Sequence, residues 1–221
     1  MKAAPKATIL LIECSPRGAA SCSRLVAQDL LARLQAVDRP ARVVRRDLAA
    51  DPPPFVDAAF AASLSLRRGE SPAREAPALA CSEALIAELE AADILILSTP
   101  MHNFTVPAVL KAWIDQVVRI QRSFRSTPEG KVGLLRDRPT FVISASGGLI
   151  AGPAARQPDF LTPYLRTILA TIGLRDVSFL HLTISSREPQ AFECERQRAR
   201  AWFDERLISD RAMSTDTRPS Y

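Results

Sequence analysis

Five short runs with apolar or β-branched centres, each closed by turn-forming residues and separated by stretches of helical periodicity, constrain this chain more than any other feature. They cover residues 8–12, 41–46, 93–97, 140–144 and 177–184. The first and third are apolar after their first residue, as strands buried on both faces are, whereas the second ends in charge, as an edge strand does. Between them, Leu25, Val26, Leu30, Leu31 and Leu34 recur at helical spacing, as do Leu85, Ile86 and Leu89. Val106, Val109, Leu110, Trp113, Val117 and Ile120 repeat the pattern after the third run, with Lys111, Asp115 and Arg119 as a polar row. Further helices are expected over 159–172 and 190–207. Strands alternating with helices specify a doubly wound α/β fold with a five-stranded parallel sheet. The order 2-1-3-4-5 is the natural expectation, and it opens a crevice between strands one and three.

At 221 residues and 47% hydrophobic composition, the chain has the core of one domain, expected over 1–208 with a polar tail over 209–221. No apolar run reaches membrane-spanning length, and too little hydrophobic sequence follows residues 1–6 for a secretory signal, so a cytoplasmic protein away from membranes is expected. Cys14, Cys22, Cys81 and Cys194 form no Cys-x-x-Cys pair and only two histidines are present, which predicts reduced thiols and no metal. The net charge of +5 does not point to nucleic acid, because the arginines are interleaved with acids and no aromatic-studded basic stripe exists. Residues 47–77, broken by Pro52, Pro53, Pro54, Pro72 and Pro77, form a long excursion expected to serve as a lid or a subunit contact.

Right-handed crossovers place three loops at one end of the sheet. The first carries Ser15, Ser21 and Ser23 where a helix begins, a place where unpaired N–H groups and the helix dipole favour phosphate. It has neither a Walker lysine nor Gly-x-Gly-x-x-Gly spacing, so a monophosphate fits it, as does simple capping. The second, Pro100-Met101-His102-Asn103-Phe104, offers apolar faces and few polar groups, which suits a flat aromatic ligand. The third, Ala145-Ser146-Gly147-Gly148, has adjacent glycines that let a ligand approach the backbone. A mononucleotide with a planar head group satisfies all three, and FMN fits best.

These residues also carry a resemblance. Ser15 with Ser21-Cys22-Ser23, the pentapeptide ending in Phe104, Phe124-Arg125 followed by Thr127 and Gly130, and Ser146-Gly147-Gly148 before Thr162-Pro163-Tyr164-Leu165 resemble the FMN-dependent NADH:azoreductases, also described as NAD(P)H:quinone oxidoreductases. The resemblance implies a flavodoxin-like homodimer with FMN near the subunit interface. It implies that Ser15, Ser21, Cys22 and Ser23 surround the ribityl phosphate. Pro100, Met101, His102, Asn103 and Phe104, with Ala145, Ser146, Gly147 and Gly148, would border the isoalloxazine. The chain departs from the family at His102, Ser126, Ala145, Ser146 and Ile150.

The chemistry so implied is ping-pong transfer of two electrons from NADH or NADPH to a quinone or azo compound, with the Gly147 and Gly148 amides as donors to the reduced ring. His102 is a possible proton donor or a spacer, and His181 is expected to be structural. Cys22 at a helix start is a position where a thiol pKa can fall. An FMN-binding electron carrier or regulatory module is the alternative. A hydrolase is weaker, since no serine has an evident partner base.

Overall fold

The computed structural model describes residues 7–37, 41–64, 77–150, 152–184 and 189–215. In chain order the first half comprises β1 (Thr8–Glu13), α1 (Cys22–Val37), β2 (Arg42–Asp47), α2 (Ala58–Leu64), α3 (Ala80–Ala91) and β3 (Ile94–Pro100). The second comprises α4 (Ala108–Val117), β4 (Phe124–Thr127), β5 (Gly130–Gly133), β6 (Thr140–Ser146), α5 (Leu161–Ile172), β7 (Val177–Thr183) and α6 (Pro189–Thr215). Residues 65–76 of the long excursion, and 216–221 of the expected tail, lie outside the described residues.

β1 lies inside the sheet, paired in parallel with β2 on one side and β3 on the other. Its alternate residues serve opposite faces, which is why residues 9–12 are all apolar. Ile9 and Leu11 join Val26, Leu30, Ile96, Phe141 and Phe203 in the layer under α1 and α6. Leu10 and Ile12 join Leu85, Ile86 and Leu89, with Leu97, Trp113 and Leu165, under α3, α4 and α5.

The sheet order is β2-β1-β3-β6-β7, which is 2-1-3-4-5 when the five sheet strands alone are counted. Two short strands, β4 and β5, form a separate antiparallel hairpin between the third and fourth sheet strands. The sequence hides them because Arg125, Ser126, Lys131 and Val132 are exposed and show no apolar alternation. Gly133 seats the hairpin: a Cβ there would lie 2.2 Å from the Gly173 nitrogen, at the left-handed end of α5. The final helix also runs further than the expected 190–207.

Arg119 departs from its expected place in a polar row. α4 ends at Val117, so only Lys111 and Asp115 pair on its surface, and the chain turns Arg119 inward to 1% exposure. There its guanidinium donates to Ser82 Oγ at 2.9 Å and to Glu83. Arg122 donates to Glu83 Oε2 at 2.8 Å and to both carboxylate oxygens of Glu90. This network fastens the start of α3 to the end of α4. Arg138, 3% exposed, closes the other end of α3 by donating to the Ala92 carbonyl and to the Leu89 carbonyl, which otherwise has only the long Ala92 N–H bond of 3.3 Å.

Burial pushes the Glu83 carboxyl upward, but hydrogen bonds from Arg122 and Arg119 outweigh it and hold its pKa below the ordinary glutamate value. A carboxylate depressed in the folded state stabilises above its unfolded pKa, about 4.3, and loses that contribution as pH falls through the folded value. Glu83→Gln is expected to lower stability by about 3 kcal/mol at neutral pH, because it leaves a buried arginine without its counter-charge. Urea denaturation at pH 7 and pH 3 checks this, and the difference between variant and parent should shrink at the lower pH.

Candidate functional site

Because all five sheet strands are parallel, β1, β3 and β6 release their loops at the same edge. The Cys14 N–H donates to the Ser98 carbonyl at 2.9 Å, carrying the β1 and β3 pairing one residue past the strand. The first loop then turns at Gly18 (φ +53°), makes one 3-10 turn over Gly18–Ala20, and enters α1. Ser15, Ser21 and Ser23 are all buried beneath it. Ser21 Oγ lies 3.2 Å from Ser23 Oγ and accepts the Arg24 N–H at 3.4 Å, so Ser21 is the cap. Capping occupies one hydroxyl of the set and leaves the first-turn amides of Cys22 and Ser23 without partners inside the helix. The Cys22 thiol does not gain acidity here: burial pushes its pKa up, against the smaller opposing effects of Arg17 and the local backbone. The expected lowering fails because the side chain is half withdrawn from water.

The second loop is a turn of two residues. His102 and Thr105 exchange backbone hydrogen bonds of 2.9 and 3.0 Å, which forces Asn103 (φ +48°) and Phe104 (φ +67°) into the left-handed region. Asparagine tolerates that region, whereas a bulky aromatic there is strained by about 1–3 kcal/mol. Phe104 lies on the surface at 44% exposure, and its carbonyl accepts the Phe160 N–H at 3.1 Å. His102 and Asn103 are exposed, while Pro100 and Met101 are half-buried.

The third loop is stitched to the second by the Met101 N–H, which donates to the Ala145 carbonyl at 2.8 Å. Ser146 turns its hydroxyl onto the Gly148 carbonyl at 2.6 Å and closes its own loop. Gly147 has open space where a Cβ would stand. At Gly148 the Gln157 side-chain amide occupies that space, its atoms 2.4–2.6 Å from an added Cβ. Gln157 escapes sequence reasoning: nine residues from the glycine, it is returned by the Arg156 N–H to Leu149 carbonyl bond of 2.9 Å.

His181 has two partners. Its Nδ1 lies 2.6 Å from Ser144 Oγ and its Nε2 3.1 Å from Thr162 Oγ1, joining β6, β7 and α5. A serine therefore does have a partner base, contrary to the sequence expectation. Ser144 is 1% exposed and the imidazole's other partner is a hydroxyl rather than a carboxylate, so the pair is a structural bridge and no nucleophile. Burial pushes the His181 pKa down, keeping the ring neutral near pH 7. Among the described residues, no group of three or more His, Cys, Asp or Glu is placed to hold a metal ion.

A family model described as flavodoxin-like fold matches residues 7–207. The chain belongs to that family. Its curated relatives include FMN-dependent NADH:quinone oxidoreductase 5 of Burkholderia lata, 50% identical over 188 residues that cover 85% of this chain and 90% of the relative. FMN-dependent NADH:quinone oxidoreductase 4 of Pseudomonas fluorescens is 50% identical over 174 residues, covering 79% of this chain and 82% of the relative. Among solved structures, azoreductase AzrA superposes with a TM-score of 0.76 at 25% identity, covering 90% of this chain and all of the other. In a flavodoxin-like sheet the crevice beside β1 and β3 is the ligand position, and the three loops border it here.

The left-handed turn of this flavodoxin-like chain makes a direct prediction. A β-branched side chain suits positive φ worst and glycine best. Phe104→Val is expected to be less stable than Phe104→Gly by about 1–2 kcal/mol in urea denaturation of the flavin-free protein.

Proposed function

We propose that this protein is an FMN-dependent oxidoreductase that passes two electrons from NAD(P)H to quinones and azo compounds. The observation that carries the proposal is the sharing of one rim by a buried serine cluster at a helix start and a strained, surface-held phenylalanine turn. The names of the Burkholderia lata relative and of the azoreductase structure, quinone reduction with NADH in one and azo reduction in the other, support the acceptor classes.

The residues suit FMN. A phosphate needs several donors out of water, and Ser15, Ser21 and Ser23 with the first-turn amides of α1 supply them, Cys22 lying between. A planar ring needs apolar surface with one open side. Pro100, Met101 and Phe104 supply the surface, with His102 and Asn103 at the turn, and the space above Gly147 leaves an approach. Ala145, Ser146, Gly147 and Gly148 border the ring edge, with the Gly147 and Gly148 amides as donors. FMN held there would supply two-electron hydride chemistry between NAD(P)H and the acceptor, in ping-pong order. The chain's part is to hold the ring still and to keep one face clear for two substrates in turn.

A homodimer with the site near its interface is part of the same proposal. Phe55, Leu149 and Phe160, at 76%, 37% and 59% exposure, are large apolar side chains left uncovered, and Phe160 bonds directly to the Phe104 turn. The excursion beginning at residue 47 is the proposed lid or subunit contact. Its α2 buries Phe60 but leaves Phe55 and Val56 outside. We assign the protein to the cytoplasm; among the described residues no helix is long and apolar enough to cross a membrane.

The absorption spectrum of the purified protein tests the proposal. Yellow bands that bleach under NADH and return on adding menadione are expected, and a protein that takes up no FMN would sink it. His102 is exposed on the turn and is the proposed proton donor to a reduced azo nitrogen. His102→Phe is then expected to cut azo turnover about 100-fold with FMN affinity retained. An unchanged azo rate in steady-state kinetics would assign that proton to water.

A further inference from the structure

Arg24 stands in the first turn of α1, one residue past the serine cluster, and its side chain reaches back under the loop. One guanidinium nitrogen, Nη2, lies 2.8 Å from Asp47 Oδ2 and donates to the Ser15 carbonyl at 3.4 Å. Nε lies 3.3 Å from Glu13 Oε1. The main-chain N–H of the same residue is the one that Ser21 caps. A single residue thus touches the last residue of β1, the last residue of β2 and both ends of the serine loop, with its side chain only 12% exposed.

Two features of this arrangement matter for an anion. Glu13 and Asp47 are register partners on adjacent strands, so two carboxylates sit side by side directly behind the loop. Glu13 is 4% exposed, and a second cation, Arg45, stands 3.9 Å away with a half-exposed side chain. Uncompensated, the two carboxylates would repel a phosphate at short range through a poorly screening interior. The second feature is the Ser15 carbonyl. A loop that accepts an anion has to offer hydroxyls and N–H groups and keep its carbonyl oxygens turned elsewhere, and a guanidinium donor on that oxygen holds it so.

We propose that Arg24 is a positioning residue for phosphate recognition, neutralising Glu13 and Asp47 and holding the Ser15 carbonyl away from the bound anion. The role requires charge spread over more than one nitrogen: Nη2 faces Asp47 and the Ser15 carbonyl while Nε stands beside Glu13 as a charge contact without a hydrogen bond, an arrangement that the single nitrogen of a lysine cannot reproduce. The inference rests on the assignment of the 15–23 loop to the phosphate of FMN, and goes beyond it by placing part of the selectivity in a residue behind the loop.

FMN and riboflavin share the ring and differ by the phosphate, so titrating both into flavin-free, full-length protein by fluorescence quenching isolates the effect. Arg24→Met is expected to weaken FMN about tenfold while riboflavin stays within about twofold of the parent. Arg24→Lys should fall between, with riboflavin unchanged. Equal losses for both flavins would mean that Arg24 only supports the fold, and unchanged FMN affinity would mean that it does nothing for phosphate; either result overturns the proposal. Should Arg24→Met fail to fold, Arg24→Lys carries the same comparison. Parent protein that binds riboflavin as tightly as FMN would instead overturn the assignment of the loop.

Discussion

The hydrogen bonding of β1 to a parallel neighbour on each side is the constraint from which the rest of the molecule follows. A strand paired at both edges and covered on both faces has to be apolar along its covered length, and residues 9–12 are. Parallel pairing then requires every connection to cross back over the sheet, so each strand is followed by its loop at the same edge. The register sets what meets there. Glu13 falls beside Asp47 on one side and Ser98 on the other, and the extra bond from Cys14 to Ser98 delivers the serine loop next to the end of β3.

Where a segment's periodicity matched its burial, its structure was legible in the amino acids. β1, β3 and β6 are read directly, and α5 is too, since Leu161, Leu165, Leu169 and Ile172 keep helical spacing on the core side. The β4 and β5 hairpin is not, because its residues face water and carry no alternation. Arg119 misleads for a related reason: its spacing fits the surface of α4, but the helix stops short of it and the chain folds it inward. At the rim, the three loops could be found from serines, glycines and an apolar pentapeptide. Gln157 could not, because nothing local marks a glutamine that returns to a glycine from the far side of a loop. The Ser144 and His181 pair was not legible either, since the two lie 37 residues apart and only the sheet register brings them together.

The basic composition has a structural use. Arg119, Arg122 and Arg138 are buried among carboxylates or helix-end carbonyls, and Arg46 and Arg196 bridge elements through Glu88 and Asp29. Guanidinium groups suit this work, because their planar array of donors satisfies several acceptors at once and stays charged when buried. Arg24 is the same device at the ligand rim, where what it holds is a loop rather than a helix.

The turn at Phe104 fixes where its side chain leaves the backbone. Reciprocal bonds between His102 and Thr105 leave the two central residues almost no dihedral freedom, and the Phe160 N–H pins the carbonyl behind them. A backbone held in this way has already lost the main-chain entropy that a free loop surrenders when something packs against it. The strain in the turn is thus met once, during folding, and ligands arriving later find a surface that is preorganised for them.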